Sequence, residues 1–240
     1  MRDAEINNSV RKNELLTRVS LFPDMQILSC GLVFEDQARS EGFRFIAGVD
    51  EVGRGCLAGP VVAAACILDP SKNLPKGLND SKKVSPENRR EIAEELKQNA
   101  LAYSVGQIEA EEIDAINILE ATKKAMLLAI AGLVPAADYL LIDALRLKQI
   151  LLPQKAIIKG DAISGSIAAA SILAKTFRDG LMSAYDNEHP EYGFAEHVGY
   201  GTAVHFEALR KHGPCVLHRK SFRGVLQPVL PAKKSDQDLF

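Results

Sequence analysis

The sequence predicts an α/β domain, and three observations carry that reading. Apolar runs of strand length recur along the chain, segments of helix length alternate with them, and acidic residues stand at the ends of several of the apolar runs. With 240 residues, 47% of them hydrophobic and 25% charged, the chain is long enough to bury one sizeable core and to carry a small appendage.

Taken in order, residues 1–40 are polar with scattered apolar positions, are divided by Pro23, and read as a partly helical N-terminal extension. Regular structure is expected from Phe43. FRFIAGV (43–49) and VVAAACIL (61–68) have the length and composition of strands, and Asp69-Pro70 opens a turn-rich loop. Ser85-Pro86-Glu87 is a helix start. A serine hydroxyl can accept a free first-turn amide there, and proline lacks only an amide that would go unpaired. That helix is expected to reach about Gln98, followed by a strand at LAYSVGQI (101–108). Residues 109–132 read as one helix, with apolar positions at Ile113, Ile116, Leu119, Met126, Leu127 and Ile130. YLLI (139–142) and AIIK (156–159) read as buried strands. A long helix rich in Ala and Ser, roughly 164–185, is suited to close packing on the sheet. Residues 186–201 read as loop, Thr202 caps a helix to about His212, and the residues after Arg223 read as a flexible tail. No internal repeat is visible.

Composition narrows the function classes. No apolar run approaches the roughly 18 residues of a membrane span, and the charged N-terminus MRDAEINNSVRKNELL does not suit a signal peptide, so a cytoplasmic protein is expected. The net charge of −2 gives no overall basic field for nonspecific nucleic-acid binding. Basic residues do cluster at Lys82-Lys83, Arg89-Arg90, Arg210-Lys211 and His218-Arg219-Lys220, each of which reads first as a solvated face. Cys30, Cys56, Cys66 and Cys215 form no CxxC pair, and Cys66 lies in an apolar run as a core residue would. The histidines at 189, 197, 205, 212 and 218 have no zinc-ligand spacing and are expected on the surface or in a groove. No Walker loop or GxGxxG occurs.

The chemistry lies in Asp50, Glu51, Asp143 and Asp161, which stand at or just beyond predicted strand ends. Adjacent residues on a strand point to opposite faces, so Asp50 and Glu51 are expected to converge only if the strand ends there, which Gly53 and Gly55 would permit. Carboxylates gathered at one sheet edge raise one another's pKa unless cations neutralise them. Oxygen-only ligation favours Mg2+ or Mn2+ over zinc, and two such ions about 4 Å apart are suited to phosphodiester hydrolysis. The competing reading of each acid is a loop carboxylate that caps a turn.

The run GVDEVGRGCLAGPVVAAA (48–65) resembles the signature of the ribonuclease HII family. LNDSKKVS (78–85), LIDAL (141–145), KGDAISGSIAAASILAKTFRD (159–179), GYGT (199–202) and HRKSF (218–222) resemble further motifs of that family in the same order, so the likeness spans about residues 43–224. It implies a ribonuclease H-like mixed sheet flanked by helices, with a catalytic core over 43–190 and a small helical substrate-binding segment over 191–224, and it leaves the first 40 residues and the flexible tail read over 225–240 outside the match. It implies that Asp50, Glu51, Asp143 and Asp161 are catalytic and hold Mn2+ or Mg2+. Gly53, Arg54 and Gly55 would approach a ribose 2′-hydroxyl, the group that tells RNA from DNA, Tyr200 would pack on the neighbouring sugar, and Ser81, Lys82, Ser171 and Lys175 would contact phosphates. For Tyr200 plain aromatic packing is the other reading.

The implied activity is endonucleolytic hydrolysis of RNA in RNA–DNA hybrids and incision 5′ of single ribonucleotides in duplex DNA, by a monomer. Two rivals are a hybrid-binding module without catalysis, which would not need four acids, and a sugar-kinase-like phosphotransferase, which ATP stabilisation would reveal. Where the family often has glycine after the third acid, this chain has Ala144, tolerable unless the backbone needs a positive φ. The last residues, Asp238-Leu239-Phe240, resemble peptides that dock on a sliding clamp, although the usual leading Gln is out of place.

Overall fold

A computed structural model describes residues 30–227. Its centre is a five-stranded sheet of β1 (Ile46–Val52), β2 (Val61–Ile67), β3 (Ala102–Ile108), β4 (Tyr139–Asp143) and β5 (Gln154–Ile157), in the order β3-β2-β1-β4-β5. The first three strands form an antiparallel meander, and β4 and β5 add to β1 in parallel. The sheet is mixed, as expected. Helices α1 (Val33–Ser40), α2 (Pro86–Asn99), α3 (Ala110–Ile116), α4 (Ile118–Ala131), α5 (Gly165–Glu188), α6 (Phe194–His197) and α7 (Ala203–His212) surround it. None is long and apolar enough to cross a membrane among the described residues.

The VVAAACI strand explains the layering. Its side chains alternate, so Val61, Ala63, Ala65 and Ile67 join α4 on one face, while Val62, Ala64 and Cys66 join α2 and α5 on the other. Small residues let the helices come close. A Cβ on Gly48 would lie 2.0 Å from the carbonyl carbon of Ser166, so α5 rests directly on β1. A Cβ on Gly106 would lie 2.3 Å from the Ala125 carbonyl oxygen, which sets α4 against β3 in the same way.

Several boundaries differ from the sequence reading. β1 covers 46–52 and not 43–49, because Asp138 caps the amides of Arg44 and Phe45 at 2.9 and 2.8 Å, while pairing with β2 persists to Val52 and Val62. β5 covers 154–157 and not 156–159, since Lys159 turns left-handed at φ 57° and Ile158 is exposed. The helix expected over 109–132 breaks at Asn117, whose φ is 71° and whose side chain accepts the amides of Leu119 and Glu120 at 3.0 and 3.2 Å. Asn117 and Glu120 were a readable N-cap signal. The loop expected over 186–201 contains α6. Ser85, Ser164 and Thr202 all cap helices.

Both ends of the described chain are anchored. Glu35 of α1 is buried and accepts from the Ser164 hydroxyl at 2.7 Å and from the Ser166 amide and hydroxyl at 2.9 and 2.6 Å, thereby capping the start of α5. At the other end α6 and α7 close a cluster of Leu57, Met182, Tyr192, Phe194, Leu209 and Val225. Packing therefore reaches Val225, the first residue of the tail expected over 225–240.

Candidate active site

Pairing of β1 with β4 stops at Val49 and Ile142, although β1 runs on beside β2 and β4 ends at Asp143. The notch between the two strands becomes a pocket of about 260 Å³ lined by Asp50, Glu51, Val52, Ser81, Lys82, Asp143, Asp161, Ser171, Lys175 and Tyr200. Every site residue expected from sequence lies on it except Gly53, Arg54 and Gly55, which follow directly from its Val52 wall. Convergence of Asp50 and Glu51 does not require the strand to end, contrary to the sequence expectation. Asp50 takes the α5 face, where Ser171 lines the pocket beside it, and Glu51 reaches the same pocket from the other side of an unpaired strand edge.

The carboxylates are individually well defined. Asp50 is buried and accepts the Glu51 amide at 2.8 Å, while the hydroxyls of Ser171 and Ser81 lie 3.0 Å apart behind it. Burial, followed by the charges of Glu51 and Asp143, pushes the Asp50 carboxyl well above the usual range. Glu51 is also raised by burial, against the pull of Arg54, whose guanidinium donates to its Oε1 at 3.0 Å. Its Oε2 is buried and has no hydrogen-bond partner. Asp143 accepts the Gly160 amide at 2.7 Å and is raised by burial, with Gly160 and Lys82 opposing. Asp161 sits in a 3-10 turn over Gly160–Ala162 and is raised by burial and by Asp80 and Asp143.

Among the described residues, no three His, Cys, Asp or Glu groups form a ready-made metal cage. The chemistry of the pocket nevertheless fits a hard divalent cation. Its donors are oxygens only, burial disfavours their charge, and Glu51 Oε2 is a buried lone acceptor with nothing to accept from.

Residues of left-handed backbone surround the notch. Ala144 follows Asp143 at φ 50°, Lys159 precedes Gly160 at φ 57°, and Val198 precedes Gly199 at φ 44°. Such conformations cost non-glycine residues of order 1–3 kcal/mol and gather at functional sites. Position 144 therefore does need the positive φ on which tolerance of alanine depended. Tyr200 is 41% exposed, and Gly199 before it is packed, not free: a Cβ there would lie 2.5 Å from the Ala58 carbonyl oxygen.

The chain as a whole has counterparts among known proteins. The ribonuclease HII family model matches residues 47–225. The chain belongs to the ribonuclease HII family. It is a ribonuclease H, an endonuclease acting on RNA–DNA hybrids. Ribonuclease HII of Ruminiclostridium cellulolyticum is 54% identical over 199 residues, covering 83% of this chain and 78% of that one. Among solved structures, ribonuclease H2 of Pyrococcus horikoshii matches with a TM-score of 0.63 at 25% identity, over 76% of this chain and 95% of that one. Ribonuclease HII of Archaeoglobus fulgidus, solved in complex with PCNA, matches with a TM-score of 0.62 at 27% identity, over 73% and 92%. The ribonuclease H-like fold is thus shown together with the family.

Sequence reasoning missed residues that support the ribonuclease HII pocket. Asp80 stands near enough to Asp161 to raise its carboxyl and accepts the Lys82 amide at 2.9 Å, and its place beside Lys82 in LNDSKKVS was the available signal. Arg178 and Arg219 are fully buried. His197, His205 and His218 are buried as well, not on the surface or in a groove. Of the basic clusters, Arg89 pairs with Asp179 at 3.0 Å and Arg219 points into the protein, so these two belong to the fold.

Proposed function

We propose that the chain incises duplex DNA on the 5′ side of a single embedded ribonucleotide, in addition to cutting RNA in hybrids, by two-metal hydrolysis that leaves 5′-phosphate and 3′-hydroxyl ends. The observation that carries this reading is Gly55. Its φ is not positive and a Cβ there would meet nothing, so the fold does not ask for glycine. Among the described residues, the amides of Arg54 and Gly55 also donate to no backbone acceptor. A turn kept bare beside a carboxylate pocket suits close approach of one ribose, whose 2′-hydroxyl a free amide can bind.

Asp50, Glu51, Asp143 and Asp161 are the residues that would hold Mn2+ or Mg2+. When bound, such ions lower the pKa of water and offset charge on the leaving oxygen. The chain's own groups do the rest. Arg54 holds Glu51 by Oε1 and leaves Oε2 facing inward. The Glu51 amide holds the Asp50 carboxylate, and Lys82 and Lys175 on the pocket wall, with Ser81 and Ser171, are suited to phosphate oxygens. Tyr200 presents a ring against which a deoxyribose next to the ribonucleotide can pack. In this reading the core over 43–190 supplies the acids, 191–224 supplies Tyr200, and a monomer suffices because one chain provides the whole pocket.

The deciding experiment compares duplex DNA carrying one ribonucleotide with the same all-DNA duplex, with and without divalent metal. Metal-dependent cutting 5′ of the ribonucleotide alone is expected, and cutting of neither or of both would overturn the proposal. The clamp expectation rests on Asp238-Leu239-Phe240, outside the described residues, and a peptide pull-down with a sliding clamp tests it.

A further inference from the structure

Two buried guanidiniums, without a carboxylate partner among the described residues, stand behind the turn at Gly53-Arg54-Gly55. Arg219 donates from Nε and Nη2 to the Gly59 carbonyl at 3.0 and 2.8 Å, and from Nη1 to the Arg54 carbonyl at 3.0 Å. Arg178 donates to the carbonyls of Pro60, Ala58 and Val198 at 2.9, 3.0 and 2.8 Å. Both side chains are fully buried, and burial, together with the neighbouring Arg178, brings Arg219 down to about 10. Buried cations without counter-ions are costly, and here carbonyl dipoles offset that cost, helped at Arg219 by the Phe222 ring 5.0 Å from its guanidinium and by the charge of Asp114.

Their arrangement has a direction. The loop turns the carbonyls of Arg54, Ala58, Gly59 and Pro60 inward onto the two forks, and among the described residues the amides of Arg54 and Gly55 are left without backbone acceptors. The side chain of Arg54, whose carbonyl is held by Arg219, reaches Glu51 in the carboxylate pocket. A planar fork of five donors in fixed geometry can serve two carbonyls on separate turns at once, which a lysine ammonium cannot do in the same shape.

We infer that Arg219 is a positioning residue for ribose recognition: its guanidinium clamps the Arg54 and Gly59 carbonyls so that the turn over 53–55 offers its amides to the 2′-hydroxyl. This rests on the proposed reading of that turn, and the experiment separates the two. Fluorescence anisotropy gives Kd for a duplex with one ribonucleotide and for the matching all-DNA duplex, using wild type, Arg219→Lys, Arg219→Ala and Gly55→Ala, each below its measured Tm.

Arg219→Lys and Arg219→Ala are expected to lose at least about fivefold of the Kd ratio while the all-DNA Kd holds. Millimolar guanidinium chloride, against matched sodium chloride, should restore the ratio to Arg219→Ala only. If Arg219→Ala fails to fold, Arg219→Lys carries the test. An unchanged ratio in Arg219→Lys would overturn the positioning role. If Gly55→Ala keeps the full ratio, the reading of the turn itself fails. Loss in Gly55→Ala with none in the Arg219 variants leaves the reading standing and removes only the inference.

Discussion

The Nε2 atoms of His205 and His218 lie 3.0 Å apart in the buried core of the C-terminal segment, so one must donate and the other accept. Their other partners decide which. The Cys215 amide donates to His218 Nδ1 at 3.0 Å, and His205 Nδ1 faces the Tyr200 carbonyl at 2.9 Å. His218 therefore carries its proton on Nε2 and His205 on Nδ1, both rings are neutral, and the chain of bonds ends on the backbone of Tyr200.

Burial lowers His205 to about 4 and His218 to about 3 from 6.5. Near pH 6.5 the unfolded chain takes up protons that the folded chain refuses. The pair's contribution is therefore complete above about pH 6.5 and declines as pH falls toward about 4 and then 3. The four carboxyls, raised in the folded state, work in the opposite sense. The difference between wild type and His205→Gln/His218→Gln isolates the histidines: urea midpoints should converge between pH 7.5 and 4.5, and parallel curves would show that the pair is not neutral.

Asp50→Asn and Asp143→Asn should each abolish cleavage and keep the fold. Because burial and neighbouring acids raise both carboxyls, removing the charge relieves repulsion at neutral pH. Tm should rise by about 2–4 °C, corresponding to about 1 kcal/mol in a domain of this size. Calorimetry beside kcat/KM checks both halves, and near-normal turnover would remove that residue from the site.

The two glycines of the turn should respond differently. At Gly53, φ is 88° and a Cβ would lie 2.3 Å from Arg178 Nε, so Gly53→Ala should lower stability by about 1–3 kcal/mol. Gly55→Ala has open space and should change stability by less than about 0.5 kcal/mol. It should nevertheless lose at least about tenfold in kcat/KM on an embedded ribonucleotide, about 1.4 kcal/mol of transition-state stabilisation. Denaturation and kinetics on the same preparations test the contrast.

Tyr200→Ala should lose at least about tenfold in kcat/KM on a single embedded ribonucleotide and less on a long RNA–DNA hybrid. Its ring is exposed enough to meet a sugar, and its backbone is held from both sides by His197 and His205. Equal losses on the two substrates would make the ring structural.

Ala144→Gly should stabilise. A left-handed alanine costs roughly 1–2 kcal/mol, and glycine gives back part of that through its freer unfolded chain. The net gain is about 0.5–1 kcal/mol, with cleavage retained. Chemical denaturation measures it, and a loss of stability would mean that the methyl group packs usefully.

The acids were legible because strand ends can be read locally, from an apolar run followed by Asp or Glu. The helix caps read at Ser85 and Thr202 follow equally local chemistry. Where β1 lost its β4 neighbour was not legible, since register between strands far apart in sequence leaves no mark on either one. The buried polar partners were hidden for the same reason. Glu35 meets Ser164 across 129 residues and Arg219 meets Gly59 across 160. Such bonds join a side chain to a distant backbone or hydroxyl and follow no periodicity, so Glu35 read as part of a loose extension and Arg219 as part of a solvated basic cluster.

The missing side chain at Gly48 has a mechanical consequence. With the backbone of α5 seated on β1, the strand that carries Asp50 and the helix that carries Ser171 and Lys175 have no layer of side chains between them to act as a lubricant. The two should move as one body, and opening there requires parting main chain from main chain. In deuterium exchange, the amides of β1, β2 and the first turns of α5 should be the last in the molecule to take up label. The pocket would then have one unyielding wall, and accommodation of a bent or mismatched duplex would fall to the side bearing Tyr200.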